Sequence, residues 1–412
     1  MIISLIGLCA LLLALPGCFY LTILSIAALF LGNMQRSNLI IKSSKINFKE
    51  CSELIAPTET TEEALLSASL QVVILIPAHN EAAGIGRTLQ SLEPQLAVDR
   101  NTRVVVIADN CTDDTAQLAR DYGASVLERH DPDRRGKGYA LQFGFAALTD
   151  ADWFIVIDAD TDVAPGFLCA MRQSMLPAAG ALQCRYRVRD PLAHPRATLA
   201  DIALAAWNVV RLRGRSSLGL SVGILGNGFA LSQRLLQSVP FCAGSIVEDV
   251  EYHHALINSG WRVRWVDQAQ VEGEMPSRQS AASAQRARWE GGRLRLLLQV
   301  GPGLAHKIVS GQMRWIDPLA DLLLWPLAWQ VCLLAIAWLF GGRATAFVAM
   351  LGMLALALHV LLAMWVIRAG PAHWRALLGV PAYIIWKLSL ALKTWRAARR
   401  DAPWTGSRQV QS

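Results

Sequence analysis

The amino-acid sequence predicts an α/β domain that lies between apolar, membrane-spanning ends. Two observations predict this arrangement. Apolar stretches almost without charge occupy both ends of the chain, and short apolar strands alternate with amphipathic helices from residue 71 onward. Such alternation is typical of a parallel sheet covered by helices. The chain of 412 residues is long enough for this domain together with its membrane segments.

The N-terminal segment 1–32 contains no charged side chain and is longer than the roughly 20 residues that cross a bilayer. A cleaved signal peptide would have a basic start and a shorter apolar core, and this segment has neither. We therefore expect a retained membrane anchor. Pro16 and Gly17 are expected either to kink one long helix or to split it into a re-entrant pair.

The C-terminal third contains two further apolar stretches, 317–340 and 344–367, which predict a transmembrane hairpin within 313–367. The following stretch, 376–395, carries Lys387 and Lys393. We expect it to form an interfacial or re-entrant helix whose lysines extend to the lipid headgroups, with a third membrane helix as the alternative.

Basic residues set the expected orientation, because they favour the cytoplasmic side of a membrane. They follow the first span and fill the tail 396–412: Arg36, Lys42, Lys45, Lys49, Arg396, Arg399, Arg400 and Arg408. We therefore predict a multi-pass protein of a bacterial-type inner membrane, with its catalytic domain in the cytoplasm.

The net charge and the cysteine pattern indicate which classes of binding partner to expect. The net charge of +7 suits an anionic membrane surface and anionic substrates. There is no zinc-type Cys/His spacing and no basic stripe interleaved with aromatic residues, so we do not expect nucleic acid as a partner. The eight cysteines include no CxxC pair and are expected to be reduced packing residues.

A polar juxtamembrane linker is expected at 33–70, followed by the soluble domain at 71–300. Its pattern predicts strands at 71–77, 103–109, 125–129 and 153–160, and helices at 82–92, 113–123 and 136–148. Polar clusters follow three of these strands: "PAHNE" (77–81), "DNCTDD" (109–114) and "DADTD" (158–162). Ligands of parallel sheets bind at the carboxyl ends of strands, so a site is expected there.

The motifs exclude two common classes of nucleotide-binding protein. No GxGxxG follows the first strand and no GxxxxGK[ST] occurs, which argues against NAD enzymes and P-loop NTPases. Acidic residues end the strands instead, and a phosphate-bearing ligand could meet them only through a divalent cation. Asp158 and Asp160, separated by one residue, are candidate ligands of Mg²⁺ or Mn²⁺. Asp162 is expected to be a loop or helix-capping residue.

Seven motifs along the chain resemble the membrane-bound branch of glycosyltransferase family 2, which carries the D, D, D, QxxRW signature. They are "VVILIPAHNEAAGIGRTLQSL", "VVVIADNCTDDT", "RRGKGYAL", "VIDADT", "GNGFAL", "VEDVEYHHAL" and "QRARW". Members similar to this chain include the hyaluronan, chitin, cellulose and poly-N-acetylglucosamine synthases and ceramide glucosyltransferase. The resemblance covers about residues 71–290 and the membrane layout. It implies a GT-A (nucleotide-diphospho-sugar transferase) domain with N- and C-terminal transmembrane helices.

The resemblance also implies roles for individual residues. Those expected at the nucleotide-sugar are Pro77, His79, Asn80, Glu81, Asp109, Lys137 and Asp158, with Asp158 and Asp160 holding the metal. Glu248 and Asp249 match the catalytic pair of the family, with Asp249 as the general base. Many members have two aspartates where this chain has Ala108 and Asp109, so contacts from position 108 are not implied.

Physical reasoning gives the remaining candidates. Gln285, Arg288 and Trp289 are spaced to share one helix face, where the arginine can neutralise a diphosphate and the tryptophan can face a sugar ring. An amphipathic membrane-surface helix is the alternative. Gly226 and Asn227 belong to "ILGNGFAL" (224–231), expected to be a glycine loop near the acceptor or a plain turn. Arg185 and Arg187 are expected to face a phosphate or solvent, and His253 and His254 are expected to be structural or solvent-facing.

The sequence thus favours an inverting transfer of sugar from a nucleotide-sugar, most often a UDP-sugar in this family, to a lipid-linked or growing glycan acceptor in surface polysaccharide or glycolipid synthesis. Membrane lipids and polysaccharide-assembly proteins are the other expected partners. Within this class, single-sugar transfer is favoured over a processive polysaccharide synthase, because few membrane segments are present to form a channel. A catalytically inactive nucleotide-sugar-binding scaffold and a metal-dependent nucleotidyltransferase are the alternatives from other classes.

Overall fold

The computed structural model describes residues 2–30, 69–242, 248–276 and 278–399. The expected linker 33–70, apart from its last two residues, lies outside this part of the chain. So do several of the basic residues used for orientation, namely Arg36, Lys42, Lys45, Lys49, Arg400 and Arg408.

The described strands are β1 (Val72–Ala78), β2 (Thr102–Asp109), β3 (Ser125–Arg129), β4 (Trp153–Val156), β5 (Thr161–Val163), β6 (Ala181–Val188), β7 (Phe229–Ser232) and β8 (Val263–Gly273). The described helices up to residue 260 are α1 (Ile2–Phe30), α2 (Ile85–Leu96), α3 (Thr115–Asp121), α4 (Lys137–Ala147), α5 (Phe167–Gln173), α6 (Pro195–Leu204), α7 (Arg211–Ser217), α8 (Gln233–Ser238) and α9 (Glu248–Asn258). A π-helical stretch, Ala205–Val210, joins α6 to α7. The later helices are α10 (Gln279–Val309), α11 (Ile316–Leu323), α12 (Leu327–Phe340), α13 (Arg343–Val366), α14 (Pro371–Ala376), α15 (Val380–Ser389) and α16 (Ala391–Arg399).

The described strands form one mixed sheet in the order β3-β2-β1-β4-β7-β6-β8-β5. Strands β3, β2, β1 and β4 are parallel, as the alternation of strands and helices predicted, whereas β7 is antiparallel to β4. Every residue of β1 is buried, which is typical of a strand covered by helices on both faces. Because β2 and β4 lie on either side of β1, the loops after these strands meet at one edge of the sheet.

The chain divides into two compact units. Among the described residues, the α/β unit comprises 69–189, 221–242, 248–276 and 278–281 and contains the sheet. The helical unit comprises 2–30, 190–220 and 282–399 of the described chain.

Two helices of the helical unit are long and apolar enough to cross a membrane among the described residues, Ser4–Phe30 and Arg343–Val366. The N-terminal helix continues through Pro16, so of the two expected forms the single helix is observed. The prediction of one continuous helix over 317–340 is wrong. Helices α11 and α12 bend by 81° at a short break, and only as a pair could they form a third span.

Pro326 gives the physical reason for that break. A proline lacks the backbone N–H of a helix bond, and it disfavours helical conformation in the residue before it. Trp325 is the residue restricted in this way, and the helix ends just before it: α11 stops at Leu323, Leu324 has an extended ψ of 108°, and α12 begins directly after Pro326.

The segment 376–395 is divided into short helices. A 3-10 turn at Leu377–Gly379, α15 and α16 follow one another, and none of them is long enough to cross a bilayer alone. The expectation that Lys387 extends to lipid headgroups is wrong, because this side chain is 4% exposed and contacts the carboxylate of Glu290. Lys393 on α16 is exposed.

Polar contacts inside the helical unit join its helices. Arg211 and Arg215 of α7 contact Asp321 and Asp317 of α11. The hydroxyl of Tyr20 on α1 donates to Asp317 Oδ1 at 2.6 Å. Buried charges of this kind are tolerated because they are paired.

Candidate active site

The acidic turn follows β4, which ends at Val156, so the prediction of a strand reaching residue 160 is wrong. The backbone N–H of Asp158 donates to Asn227 Oδ1 at 3.2 Å, and Asn227 Nδ2 donates to Thr161 Oγ1 at 2.8 Å. Through these two hydrogen bonds, the buried Asn227 side chain connects Asp158 to Thr161 across the turn. The turn frees Asp158 from the sheet, and its side chain remains one-third exposed, at 33%.

Lys137, the first residue of α4, lies against the same turn. Its Nζ contacts the Asp158 carboxylate and donates to the carbonyl oxygen of Gly226 at 2.6 Å. Burial acts to lower the pKa of Lys137, but the negative charges of Asp158, Glu248 and Asp249 outweigh it and raise the pKa. The lysine is therefore a fixed cation facing three carboxylates.

The loop before β7 passes close to these charges. Gly226 and Gly228 have positive φ angles of 79° and 66°. A Cβ on Gly226 would lie 3.4 Å from Asp249 Oδ2 and 3.9 Å from Lys137 Nζ. A Cβ on Gly228 would overlap Cys184 Sγ. Glycine thus allows the backbone to approach both the candidate base and the cation.

Gln183 supports this loop, and the sequence analysis missed it. The side chain is fully buried in β6. Its Nε2 donates to the carbonyl oxygens of Asn227 at 2.9 Å and Gly228 at 3.2 Å, and its Oε1 accepts from the N–H of Leu225 at 2.9 Å. The available signal was an uncharged polar residue within the apolar start of the strand "ALQCRYRV".

Glu248 and Asp249 form the first turn of α9, directly after residues 243–247, which are not described. The N–H of Val250 donates to Asp249 Oδ1 at 2.9 Å. Burial raises the pKa of Asp249, and burial together with the charge of Asp249 raises the pKa of Glu248. A carboxylate with a raised pKa is a stronger base than an ordinary aspartate.

The loops after β1 and β2 are joined by hydrogen bonds. His79 Nδ1 donates to the carbonyl oxygen of Asp109 at 2.7 Å, and the N–H of Thr112 donates to Asn80 Oδ1 at 2.8 Å. The N–H of Glu81 donates to Thr115 Oγ1 at 2.9 Å. Asn80 has a positive φ of 55°, which asparagine tolerates better than most residues. Pro77 is buried within β1 and lies outside this loop.

Asp109 is fully buried and has an ion-pair partner that the sequence analysis did not identify. Arg129 Nη1 lies 2.6 Å from Asp109 Oδ1, and Arg129 Nη2 lies 2.9 Å from Asp131 Oδ2. Asp109 Oδ2 is buried with no hydrogen-bond partner among the described residues. The partner could not be located from spacing, because Arg129 ends β3 and reaches Asp109 only through the register of β2 and β3.

The donor set is of the type that suits a divalent cation. Asp158 and Asp160, separated by one residue, carry hard carboxylate oxygens, the type that Mg²⁺ and Mn²⁺ prefer. Within the described ranges, no group of three or more His, Cys, Asp or Glu side chains is placed to hold a metal by itself.

Asp162 is not a loop or capping residue, and that prediction is wrong. It lies in β5, which pairs with β8, and Arg189 Nη1 lies 3.2 Å from its Oδ1. Its charge is thus met by an arginine that is 6% exposed. Of the other polar candidates, Arg185 pairs with Asp267 at 2.9 Å. His253 shares a hydrogen bond with Ser221 at 2.8 Å and is buried, as a structural role predicts.

The three QxxRW residues lie on α10 in the helical unit. The guanidinium of Arg286 stacks over the ring of Trp289 at 5.5 Å from its centroid. The helical spacing of Gln285, Arg288 and Trp289 is confirmed. Their proximity to the acidic site of the α/β unit stays a prediction.

Comparison with known proteins gives a family match. The family described as "Glycosyl transferase family group 2" matches residues 153–367, just over half of the chain. The chain is 23% identical over 238 residues to the probable glycosyltransferase YdaM of Bacillus subtilis, covering 56% of each protein. It is 30% identical over 194 residues to glucosyl-3-phosphoglycerate synthase of Mycobacterium tuberculosis, covering 44% of this chain and 59% of that protein. The chain therefore spans little more than half the length of these relatives.

Among solved structures, a mannosyltransferase of Pyrobaculum calidifontis in complex with GDP-Man and Mn²⁺ superposes with a TM-score of 0.47 at 19% identity, covering 88% of this chain and 99% of that one. The M. tuberculosis synthase with Mn²⁺, UDP and phosphoglyceric acid superposes with a TM-score of 0.43 at 23% identity, covering 63% of this chain and 84% of that one. The ligands named here are those of the two solved proteins. The α/β GT-A fold class with apolar helices at both ends rests on the described sheet and on the family match, and it is confirmed.

Proposed function

The chain belongs to glycosyl transferase family group 2, and on that premise we propose that it transfers a sugar, with inversion, from a nucleotide-sugar to a lipid-linked or glycan acceptor. A UDP-sugar is the proposed donor. The observation that carries the proposal is the convergence of Lys137, Asp158 and Asp249 around the Gly226 backbone.

Asp249 is the proposed general base. Inversion at the anomeric carbon requires one group to take the proton of the acceptor hydroxyl opposite the leaving group, with no covalent intermediate. Burial raises the pKa of the Asp249 carboxyl, which increases its affinity for that proton. Burial and the charge of Asp249 raise the pKa of the adjacent Glu248, so this carboxyl takes up a proton more readily than an ordinary glutamate.

The departing diphosphate is proposed to bind on the side of the site that carries Lys137 and Asp158. Lys137 can donate to a phosphate oxygen from the position where it now contacts Asp158. Asp158 and Asp160 would hold a Mg²⁺ or Mn²⁺ ion, which when bound supplies Lewis-acid stabilisation of the developing diphosphate charge. Asn227 keeps the Asp158 backbone in place for this role.

The nucleoside is proposed to bind beside the loops after β1 and β2. His79, Asn80 and Glu81 belong to the first loop, and Asp109 ends the second strand. Arg129 holds one oxygen of Asp109 and thus orients the other. Pro77, buried in β1, would act by shaping this edge of the sheet.

The acceptor side is proposed to include Gly226 and the QxxRW residues. Gln285, Arg288 and Trp289 would meet the diphosphate and the acceptor sugar, the arginine through paired hydrogen bonds and the tryptophan through its flat face. The expected location is a bacterial-type inner membrane, with the two or three apolar spans in the bilayer and the α/β unit in the cytoplasm. Polysaccharide-assembly proteins are proposed neighbours there.

A donor screen tests this function. Purified enzyme in lipid, with Mg²⁺ or Mn²⁺, is offered labelled UDP-sugars, and the products are separated by size. We expect one donor to yield a labelled lipid or glycan extended by a single sugar. A ladder or long polymer would identify a processive synthase instead. Release of pyrophosphate would indicate a nucleotidyltransferase, and no transfer from any donor would favour a nucleotide-sugar-binding scaffold.

A further inference from the structure

Lys387 is buried in the helical unit beside the QxxRW motif. It lies on α15, is 4% exposed, and donates a hydrogen bond to the carboxylate of Glu290 on α10. Glu290 directly follows Trp289, the last residue of the motif. The pair thus connects the C-terminal part of the chain to the motif helix across 97 positions of sequence.

This contact is costly to lose. Burial, and then the positive charge of Arg286, lower the pKa of Lys387, so its ammonium depends on a nearby carboxylate. Glu290 supplies that carboxylate and is itself only 16% exposed. Removing one partner of a buried ion pair leaves the other charge uncompensated, which costs more than the pair contributes.

The helix that carries Lys387 is itself held in place. The guanidinium of Arg196 on α6 lies 5.8 Å from the ring centroid of Trp386, the residue before Lys387. Tyr383, one turn earlier, packs against the same ring at 5.3 Å between centroids. These contacts hold α15, and with it the ammonium of Lys387, in a fixed position.

The geometry of α10 makes this pairing relevant to the motif. Arg286, Trp289 and Glu290 are spaced i, i+3 and i+4, and Arg286 stacks over Trp289. Over these few residues an α-helix is rigid, so a fixed direction at Glu290 determines the directions of the side chains one to five positions earlier.

We propose that Lys387 is a positioning residue for sugar transfer, because its pairing with Glu290 fixes the rotation of α10 and with it the direction of Arg288 and Trp289. The proposal rests on the proposed function, which assigns those two residues to the diphosphate and acceptor. It replaces a lipid-facing role for Lys387 with an internal one.

The test compares Lys387→Met, Lys387→Arg, Glu290→Gln and the exchanged pair Lys387→Glu with Glu290→Lys. Lys393→Met is the matched control, because Lys393 lies exposed on the next helix. We expect Lys387→Met and Glu290→Gln to lower kcat per folded molecule at least about tenfold, since a misplacement near 1 Å can cost on the order of 10²-fold. Lys387→Arg and the exchanged pair should recover most of the loss, and Lys393→Met should resemble the wild type.

Two readouts separate positioning from stability and from the proposed function. Melting temperature and the fraction folded are measured for each variant, so that loss of kcat in folded protein is distinguished from unfolding. Hydrogen exchange of residues 285–293 needs no activity, and Lys387→Met should accelerate it whereas Lys393→Met should not. Unchanged kcat and unchanged exchange in folded Lys387→Met would overturn the proposal. An inactive wild type would instead overturn the proposed function, with the exchange comparison still deciding the role of the pair.

Discussion

Asp249 lies beside the Gly226 backbone, and its environment sets the pH at which it can act. Burial raises the pKa of this carboxyl, and it also raises the pKa of the neighbouring Glu248. Because the two carboxyls interact, they titrate as a pair. A general base works in its deprotonated form. Its activity is therefore lost when the pH falls through the raised pKa.

We expect kcat/KM to decline between about pH 7 and about pH 5, a range in which an ordinary aspartate with a pKa near 3.9 stays ionised. A pH–rate profile measures this directly, with the circular dichroism spectrum followed over the same range as a check on folding. A rate that is constant down to about pH 5 would contradict the assignment of a raised pKa to the base.

Gly228 combines a left-handed backbone with a close neighbour, and Gly123 offers a matched control. Both have positive φ angles, 66° and 80°, but a Cβ would overlap Cys184 Sγ at Gly228 and would meet nothing within 4 Å at Gly123. Gly123→Ala should therefore show backbone strain alone, about 1 kcal/mol. Gly228→Ala should add roughly 1–3 kcal/mol of overpacking and lower the melting temperature further. Equal melting temperatures for the two variants would show that the loop has room to move.

At the scale of single residues, the sequence could indicate which side chains carry chemistry but not their partners. Asp158, Lys137 and Asp249 belong to recognisable motifs, and the structure brings them together. The pairs Asp109–Arg129 and Lys387–Glu290 depend on strand register and helix packing, which motifs do not encode. Asp162 was misassigned for the same reason, because its partner Arg189 is 27 positions away.

Among the elements, the loop 224–228 depends on one side chain of the neighbouring strand. Replacing Gln183 with leucine would leave the Asn227 carbonyl and the Leu225 N–H without this partner, whereas the Gly228 carbonyl keeps its bond from the N–H of Cys184. Unsatisfied buried groups cost roughly 1–3 kcal/mol each, so we expect a clear drop in melting temperature and in kcat. Gln173→Leu, at an exposed position ending α5, is the control. If the two variants behaved alike, the loop would be held by contacts other than Gln183.

Strands and helices were predictable to the extent that hydrophobic patterning defines them. The buried run of β1 and the alternation up to α4 predicted the bounds of β1, β2 and β3 to within one residue, whereas β4 ends at Val156 and not at residue 160. The break at Pro326 was not predicted, because the surrounding residues are apolar enough for a continuous span. Apolar composition indicates that a segment prefers to leave water. It does not show where the helix breaks, which here depends on a single proline.

For the molecule as a whole, we propose that the α/β unit lies on the cytoplasmic side of a membrane. Cys242 is an exposed native cysteine of that unit. In a variant that keeps only this cysteine of the eight, an impermeant maleimide should label it in inside-out vesicles and not in intact cells. Labelling in intact cells would show that the orientation is the opposite of the one proposed. Recovery of the protein without detergent would contradict membrane insertion.

We propose transfer from a nucleotide-sugar with Asp249 as the general base and with Asp158 and Asp160 holding a divalent cation. The most direct measurement is acceptor-dependent release of nucleoside diphosphate by purified wild type and Asp249→Asn. We predict release that stops on chelation, returns with Mn²⁺ or Mg²⁺, and falls about 10²- to 10⁴-fold in Asp249→Asn, the range expected for loss of a general base. Undiminished release by folded Asp249→Asn would contradict the account.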